Sequence, residues 1–170
     1  GVRVSLLTTI AQDTGEGLDV LIAIENLIGS GFADMLEGDE GGNELSGGDG
    51  ADELIGRAGS DVLNGGDGAD TLGGGLDADK LRGGEGADQL TGGEGKDKLA
   101  GGAGVDTLVG GAGRDMLTGA EGVDRFVFNA VDDSTRRSAD RILDFSQAEG
   151  DLIDLSGIDA DATTSEDDVF

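Results

Sequence analysis

The sequence predicts an all-β fold, a parallel β-solenoid of nonapeptide repeats with a β-rich C-terminal cap. Three observations predict it. Glycine supplies 35 of 170 residues, about three times its usual share. Eleven nine-residue frames follow one another without insertion or deletion, starting at Gly29, Gly38, Gly47, Gly56, Gly65, Gly74, Gly83, Gly92, Gly101, Gly110 and Gly119. Their eighth position is Leu36, Leu45, Leu54, Leu63, Leu72, Leu81, Leu90, Leu99, Leu108 and Leu117, and in the last frame Phe126. A fixed short period of this kind is the signature of a stacked repeat array.

Composition narrows the chemistry. Proline, cysteine, histidine, tryptophan and tyrosine are all absent, and 37 acids against 11 bases give a formal charge of −26. Without cysteine there is no disulfide framework, thiol nucleophile or zinc ribbon. Without histidine there is no Ser-His-Asp triad and no histidine general base. The charge opposes nucleic acid and anionic membranes as partners. No run of apolar residues is long enough for a membrane-spanning helix. High charge and much glycine suit a disordered chain, but the registered leucines and 36% hydrophobic content oppose that. The chain opens at Gly1 without a charged and apolar leader, and reads as a piece of a longer protein.

Residues 1–28 form a lead-in with strands of its own. Counting nine back from Gly29 puts Glu25 at position 6 and Leu27 at position 8 of a frame that starts at Val20. The register therefore predicts a disguised repeat within Leu18–Ile28.

Residues 29–127 are the solenoid. Six frames, from Gly47, Gly65, Gly83, Gly92, Gly101 and Gly110, fit G-G-x-G-x-D-x-L-x outright. Positions 1, 2 and 4 hold 27 of the 35 glycines. There they permit φ above zero, and so a tight turn, and let backbone carbonyls face a common centre. The last three residues, x-Leu-x, are a minimal strand with leucine inward and its neighbours outward. One frame cannot bury its leucine alone. Two frames make an 18-residue coil, and stacked coils give two parallel sheets with a leucine ladder between them. At about 4.8 Å per strand, five and a half coils rise roughly 25 Å.

Residues 18 apart then lie above one another, so the position-6 residues form two columns. One is Asp34, Asp52, Asp70, Asp88, Asp106 and Asp124; the other is Asn43, Asp61, Asp79, Asp97 and Asp115. Carboxylates stacked one strand apart repel unless cations sit between them. Carboxylate and carbonyl oxygens are hard donors that suit Ca²⁺, whereas Mg²⁺ wants a tighter octahedron. With no nitrogen or sulfur donor in the columns, transition metals fit poorly. Two frames depart from the pattern at position 4, with Phe32 and Asp77. Aspartate tolerates a left-handed backbone better than phenylalanine does.

Residues 128–170 leave the repeat and predict a capping segment. Four of the five phenylalanines lie from Phe126 onward, and short alternating strands run through Ile142, Leu143, Leu152, Ile153, Leu155 and Ile158. An open solenoid end needs such a cover for its strand edges and leucines.

The frames resemble the RTX family, for which G-G-x-G-x-D-x-U-x is the established calcium-binding nonapeptide. The stretches Asp124–Phe128, Asp140–Phe145 and Asp151–Ser156 are similar to the C-terminal region of serralysin-type proteases. The resemblance implies a right-handed parallel β-roll with each Ca²⁺ between one turn and the next but one. It further implies that position-6 carboxylates and carbonyls of positions 1 to 4 are the ligands. On this chain those carbonyls belong to Gly47, Gly48, Gly50, Gly65, Gly66, Gly68, Gly83, Gly84, Gly86, Gly92, Gly93, Gly95, Gly101, Gly102, Gly104, Gly110, Gly111 and Gly113. Five gaps in one column and four in the other give up to nine sites, the one beside Asn43 being weaker for want of charge. By the same resemblance Glu25 binds a first ion and Asp133 or Asp140 a further one. Equally, all three read as solvated carboxylates.

The resemblance implies a module and not an enzyme. Paired carboxylates also serve glycosidases, but stacked acids are what a metal-binding repeat requires. The expected protein is a secreted, extracellular bacterial one. It would carry an upstream catalytic or adhesive domain and leave through a type I secretion apparatus, folding on calcium outside. A calcium-dependent adhesin or polysaccharide-binding module is the alternative. The bases Arg57, Lys80, Arg82, Lys96, Lys98 and Arg114 that would serve it are separated by acids along the chain.

Overall fold

The computed structural model describes residues 1–7, 11–14, 18–130 and 138–158. Its regular elements are all strands, and the parallel ones stack into a β-solenoid of about six turns. Among the described residues no helix is long and apolar enough to cross a membrane.

Two parallel sheets carry the fold. The first runs Arg3–Ser5, Met35–Glu37, Glu53–Arg57, Thr71–Leu76, Gln89–Gly95, Thr107–Gly113, Arg125–Val127 and Leu152–Asp154. The second runs Asn26–Ile28, Glu44–Asp49, Val62–Asp67, Lys80–Gly86, Lys98–Gly104, Met116–Gly122 and Arg141–Ile142. Within the repeats the Cα partners are 18 residues apart, as in Met35 with Glu53 and Leu81 with Leu99. The disguised repeat in the lead-in obeys the same register, since Leu27 pairs with Leu45.

The core is the ladder of position-8 side chains. Every one from Leu36 to Phe126 is buried, and Val4 adds a rung below Leu36. Strands of the middle coils run seven residues where three were expected, for example Lys80–Gly86. The position-1 glycine lies within the strand and the position-2 glycine stays in the ladder: Gly84 pairs with Gly102. Position 2 has positive φ there, 127° at Gly84 and 124° at Gly102, so the strand bends without losing its partner.

Position 1 needs glycine for another reason than the one expected. None of the frame-opening glycines has positive φ. A methyl on Gly65 would instead stand 2.3 Å from Asp70 Oδ2. Space, not backbone freedom, excludes a side chain there.

Both ends break the 18-residue spacing yet keep the stacking. Arg3–Ser5 pairs with Met35–Glu37 across 32 residues, and the intervening chain contains a small antiparallel pair, Gln12–Asp13 with Leu18–Asp19. The Gln12 side chain ties this excursion down, accepting from Ser5 N (2.7 Å) and donating to Ser5 O (2.6 Å). At the far end Met116 pairs with Arg141 and Arg125 with Leu152. The cap strands thus extend the two sheets. Phe145 leans on Phe126 at a ring separation of 6.3 Å.

Candidate metal centre

The turns between the sheets hold the position-6 residues, each at the mouth of a strand whose next inward residue is a core leucine. Every one from Asp34 to Asp124 is buried. Their hydrogen bonding is uniform. Asp52 Oδ1 accepts from Asp34 N (2.8 Å), Asp70 Oδ1 from Asp52 N (2.8 Å), Asp88 Oδ1 from Asp70 N (2.8 Å) and Asp106 Oδ1 from Asp88 N (2.9 Å). The second column repeats this, from Asp61 on Asn43 N (2.7 Å) to Asp115 on Asp97 N (2.9 Å).

The other carboxylate oxygen is the anomaly. Oδ2 of Asp52, Asp61, Asp70, Asp79, Asp88, Asp97, Asp106 and Asp124 is buried and lacks a hydrogen-bond partner. From Asp52 to Asp97 each such atom faces a carbonyl of the next coil across space that a side chain would fill. A methyl on Gly83 would meet Asp88 Oδ2 at 2.3 Å and Gly101 O at 2.6 Å, and one on Gly92 would meet Asp97 Oδ2 at 2.5 Å and Gly110 O at 2.6 Å. Buried anionic oxygens without donors are costly. A hard cation held by carboxylate and carbonyl oxygens would relieve that cost, and Ca²⁺ suits such a flexible oxygen shell. Among the described residues no three acidic side chains gather tightly enough to hold a metal by themselves, so carbonyls must complete any shell.

Titration follows the geometry. Burial, opposed by the backbone hydrogen bond from the preceding rung, holds Asp52, Asp61, Asp70, Asp88 and Asp124 above the usual carboxylate range. Asp79 is pushed up to about 7, by burial first and then by the charges of Asp97, Asp61 and Asp77. Burial likewise takes Asp97 and Asp106 to about 6. Asp34 goes the other way. Burial raises it, but the amides of Ser30 and Val2, the Ser30 hydroxyl and the N-terminal charge outweigh that and lower it.

Residues 81–167 match the Peptidase M10 serralysin C-terminal family, and residues 28–63, 37–72 and 46–81 each match the four-copy RTX calcium-binding nonapeptide repeat. The chain belongs to the serralysin C-terminal family. No curated protein matches it. Both matched families are structural and non-catalytic, and both are typical of secreted bacterial proteins.

Within this serralysin-type domain the ends of the columns differ from the middle. Asp34 has both oxygens engaged, Oδ1 by Val2 N and Ser30 Oγ (3.0 Å), Oδ2 by Ser30 N. Asn43 Oδ1 accepts from Asp39 N (2.8 Å). Glu25 takes the position-6 backbone place, its carbonyl accepting from Glu44 N (3.0 Å), but its side chain is exposed. Asp140 continues the second column, its Oδ1 accepting from Asp115 N (2.9 Å). Asp133 lies outside the described residues.

Two acids of the cap escaped the sequence reading, one of them a column member. Asp151 extends the first column, with Oδ1 on Asp124 N (3.1 Å) and Oδ2 on Ser146 N (2.7 Å). Asp144 accepts from Gly119 N (3.1 Å) and Ala120 N (2.8 Å), closing amides of the last frame. The signal for Asp151 was present. Asp140-Arg141-Ile142 and Asp151-Leu152-Ile153 both repeat the Asp-x-apolar triplet of positions 6 to 8.

Proposed function

We propose that this chain is a calcium-dependent folding module that supports the export and stability of a larger secreted protein. The observation that carries the reading is the double column of buried Oδ2 atoms without a donor, those of Asp52 to Asp97 each facing a backbone carbonyl. The position-6 aspartates and the carbonyls of the frame glycines would hold the ions, up to nine in all. The Asp34–Asp52 gap would be weak because Val2 and Ser30 already serve Asp34. The Asn43–Asp61 gap would be weak because Asn43 brings no charge.

Bound calcium supplies the positive charge that the columns lack. The residues do the rest. Between Gly29 and Val127 the repeats carry 21 acids against 7 bases. Without cations that charge, with the buried oxygens, drives the chain toward an extended coil. Such a coil suits threading through a type I secretion apparatus, and low cytosolic calcium preserves it. Outside, millimolar calcium lets the aspartates drop into register and the leucine ladder close. The folded roll then steadies an upstream catalytic or adhesive domain.

Far-UV circular dichroism tests this. The calcium-free chain should give a coil spectrum and millimolar Ca²⁺ a β spectrum. A chain already β-structured after exhaustive metal removal at neutral pH would contradict the mechanism.

A further inference from the structure

Of the asparagines in the chain, Asn26, Asn43, Asn64 and Asn129, only Asn64 is followed by glycine. The pair sits inside the strand Val62–Asp67, with Asn64 exposed on the outer face and Gly65 buried. Asn64 lies between Ser46 and Arg82 of the neighbouring strands. In a free chain such a pair is chemically labile. Glycine has no side chain to shield its nitrogen, and it leaves the backbone free to turn. The nitrogen can then reach the amide carbon of the preceding side chain.

The folded ladder prevents that reach. Ring closure needs Gly65 N turned onto Asn64 Cγ, and the extended strand holds ψ elsewhere. The nitrogen is also committed. Frame-opening amides donate across the sheet, Gly29 N to Ser46 O (2.7 Å) and Gly38 N to Ile55 O (2.8 Å). The same register sets the Arg82 carbonyl opposite Gly65 N.

We infer that Asn64 is a site of spontaneous deamidation and isoaspartate formation, closed in the calcium-folded roll and open in the metal-free coil. The inference rests on the calcium-dependent folding proposed above. In the coil Gly65 N bonds to Asn64 Cγ and gives up its proton. The Cγ–Nδ2 bond breaks, and ammonia leaves with that proton. The product is a cyclic imide, which water opens at either carbonyl. Attack at Cγ leaves aspartate in an ordinary chain. Attack at the Asn64 backbone carbonyl leaves isoaspartate, with the main chain rerouted through the side chain and one carbon longer.

The two products should fare differently. Aspartate at this place would face Arg82 across the ladder, a favourable pair. Isoaspartate would displace Gly65, whose carbonyl is turned toward a column. A methyl on Gly47 would stand 2.7 Å from Gly65 O and against Asp52 Oδ2. The longer backbone would also slip the register that Gly66 keeps with Gly48 and Gly84. Calcium thus protects the bond whose rearrangement would spoil a calcium gap.

The test ages the full chain in mildly alkaline buffer, with chelator or with millimolar Ca²⁺, and reads residue 64 by peptide mapping. Conversion to the acid, seen as the mass gain of amide loss, should run at least about tenfold slower in calcium, because only the opened fraction reacts. Isomerisation at Asp49-Gly50 or Asp67-Gly68 leaves the mass unchanged. The separated isoaspartyl chain should need severalfold more calcium to reach half its β dichroism, while Asn64→Asp should match the parent. Asn64→Gln, which closes no such ring readily, should age without loss. Equal conversion in chelator and in calcium, by a chain that dichroism shows to fold on calcium, overturns the inference alone. So does a chain that never converts in chelator. An isoaspartyl chain with the parent's calcium midpoint overturns the damage assigned to it. A chain whose dichroism is the same with and without calcium overturns this inference and the proposed function together.

Discussion

At the scale of single residues, the frame separates two uses of glycine that look alike in sequence. Position 2 needs positive φ. Arg57 (86°) and Ala120 (78°) occupy it without being glycine. A non-glycine residue there costs of order 1–3 kcal/mol, partly offset by the lower entropy of its unfolded chain. Ala120→Gly should therefore stabilise the calcium-loaded roll by about 1 kcal/mol, read from the urea midpoint at constant slope. Position 1 is different, because a methyl there strikes the carboxylate itself. The column also ranks its own members. Asp88 lends Oδ1 to Asp70 N and leaves Oδ2 buried against Gly101 O, so in the proposed shells it serves an ion on either side. Asp88→Ala should weaken calcium binding more than Asn43→Ala, by calorimetric titration. Equal losses would speak against shared ligands.

At the scale of strands and coils, each rung contacts only its neighbours, so damage should depend on place. Leu108 is fully buried between Leu90 and Phe126. Leu108→Ala should cost about 2–5 kcal/mol, measured by denaturant unfolding in calcium. Asp151→Ala should instead loosen the last rung, where it joins Asp124 N to Ser146 N. Amide exchange should then speed up at Leu152–Asp154 and leave Lys80–Gly86 protected. The same locality explains what the sequence made legible. Wherever the nine-residue count held, from Asn26 to Val127, it gave strand partners, inward face and column membership together. Beyond, the spacings of 32, 25 and 27 residues depend on loops that no local period encodes. The rung at Arg3–Ser5 was invisible for that reason, and the column role of Asp151 showed only as an Asp-x-apolar triplet outside the nine-residue count. The strand lengths were underestimated because glycine at positions 1 and 2 reads as turn, while here position 1 lies within the strand and position 2 bends within the ladder.

At the scale of the whole molecule, burial of so many carboxylates makes proton and calcium rivals for the same oxygens. A buried acid with a raised pKa binds its proton more tightly folded than unfolded, so it favours the folded state once protonated. That contribution is present below the ordinary carboxylate range near 4 and is lost as pH rises through the folded value, about 7 for Asp79 and about 6 for Asp97 and Asp106. The ends have the opposite sign. Asp154, held down to about 2 by Ser156 and then Arg125, stabilises only above its unfolded value, and that support fades as pH falls toward 2; lowered Asp34 acts in the same direction. The calcium-free chain should consequently gain β-structure as pH drops from 8 to about 4, and lose some of it again below about 3. In calcium the slope reverses over the upper range, because ligands must shed protons before they bind a cation. The calcium midpoint should then rise as pH falls through 7 and 6. Dichroism of exhaustively dialysed chain against pH, beside calcium titrations at the same pH values, checks both signs. A metal-free chain that unfolds further on mild acidification would show that its columns are not buried as the ladder requires.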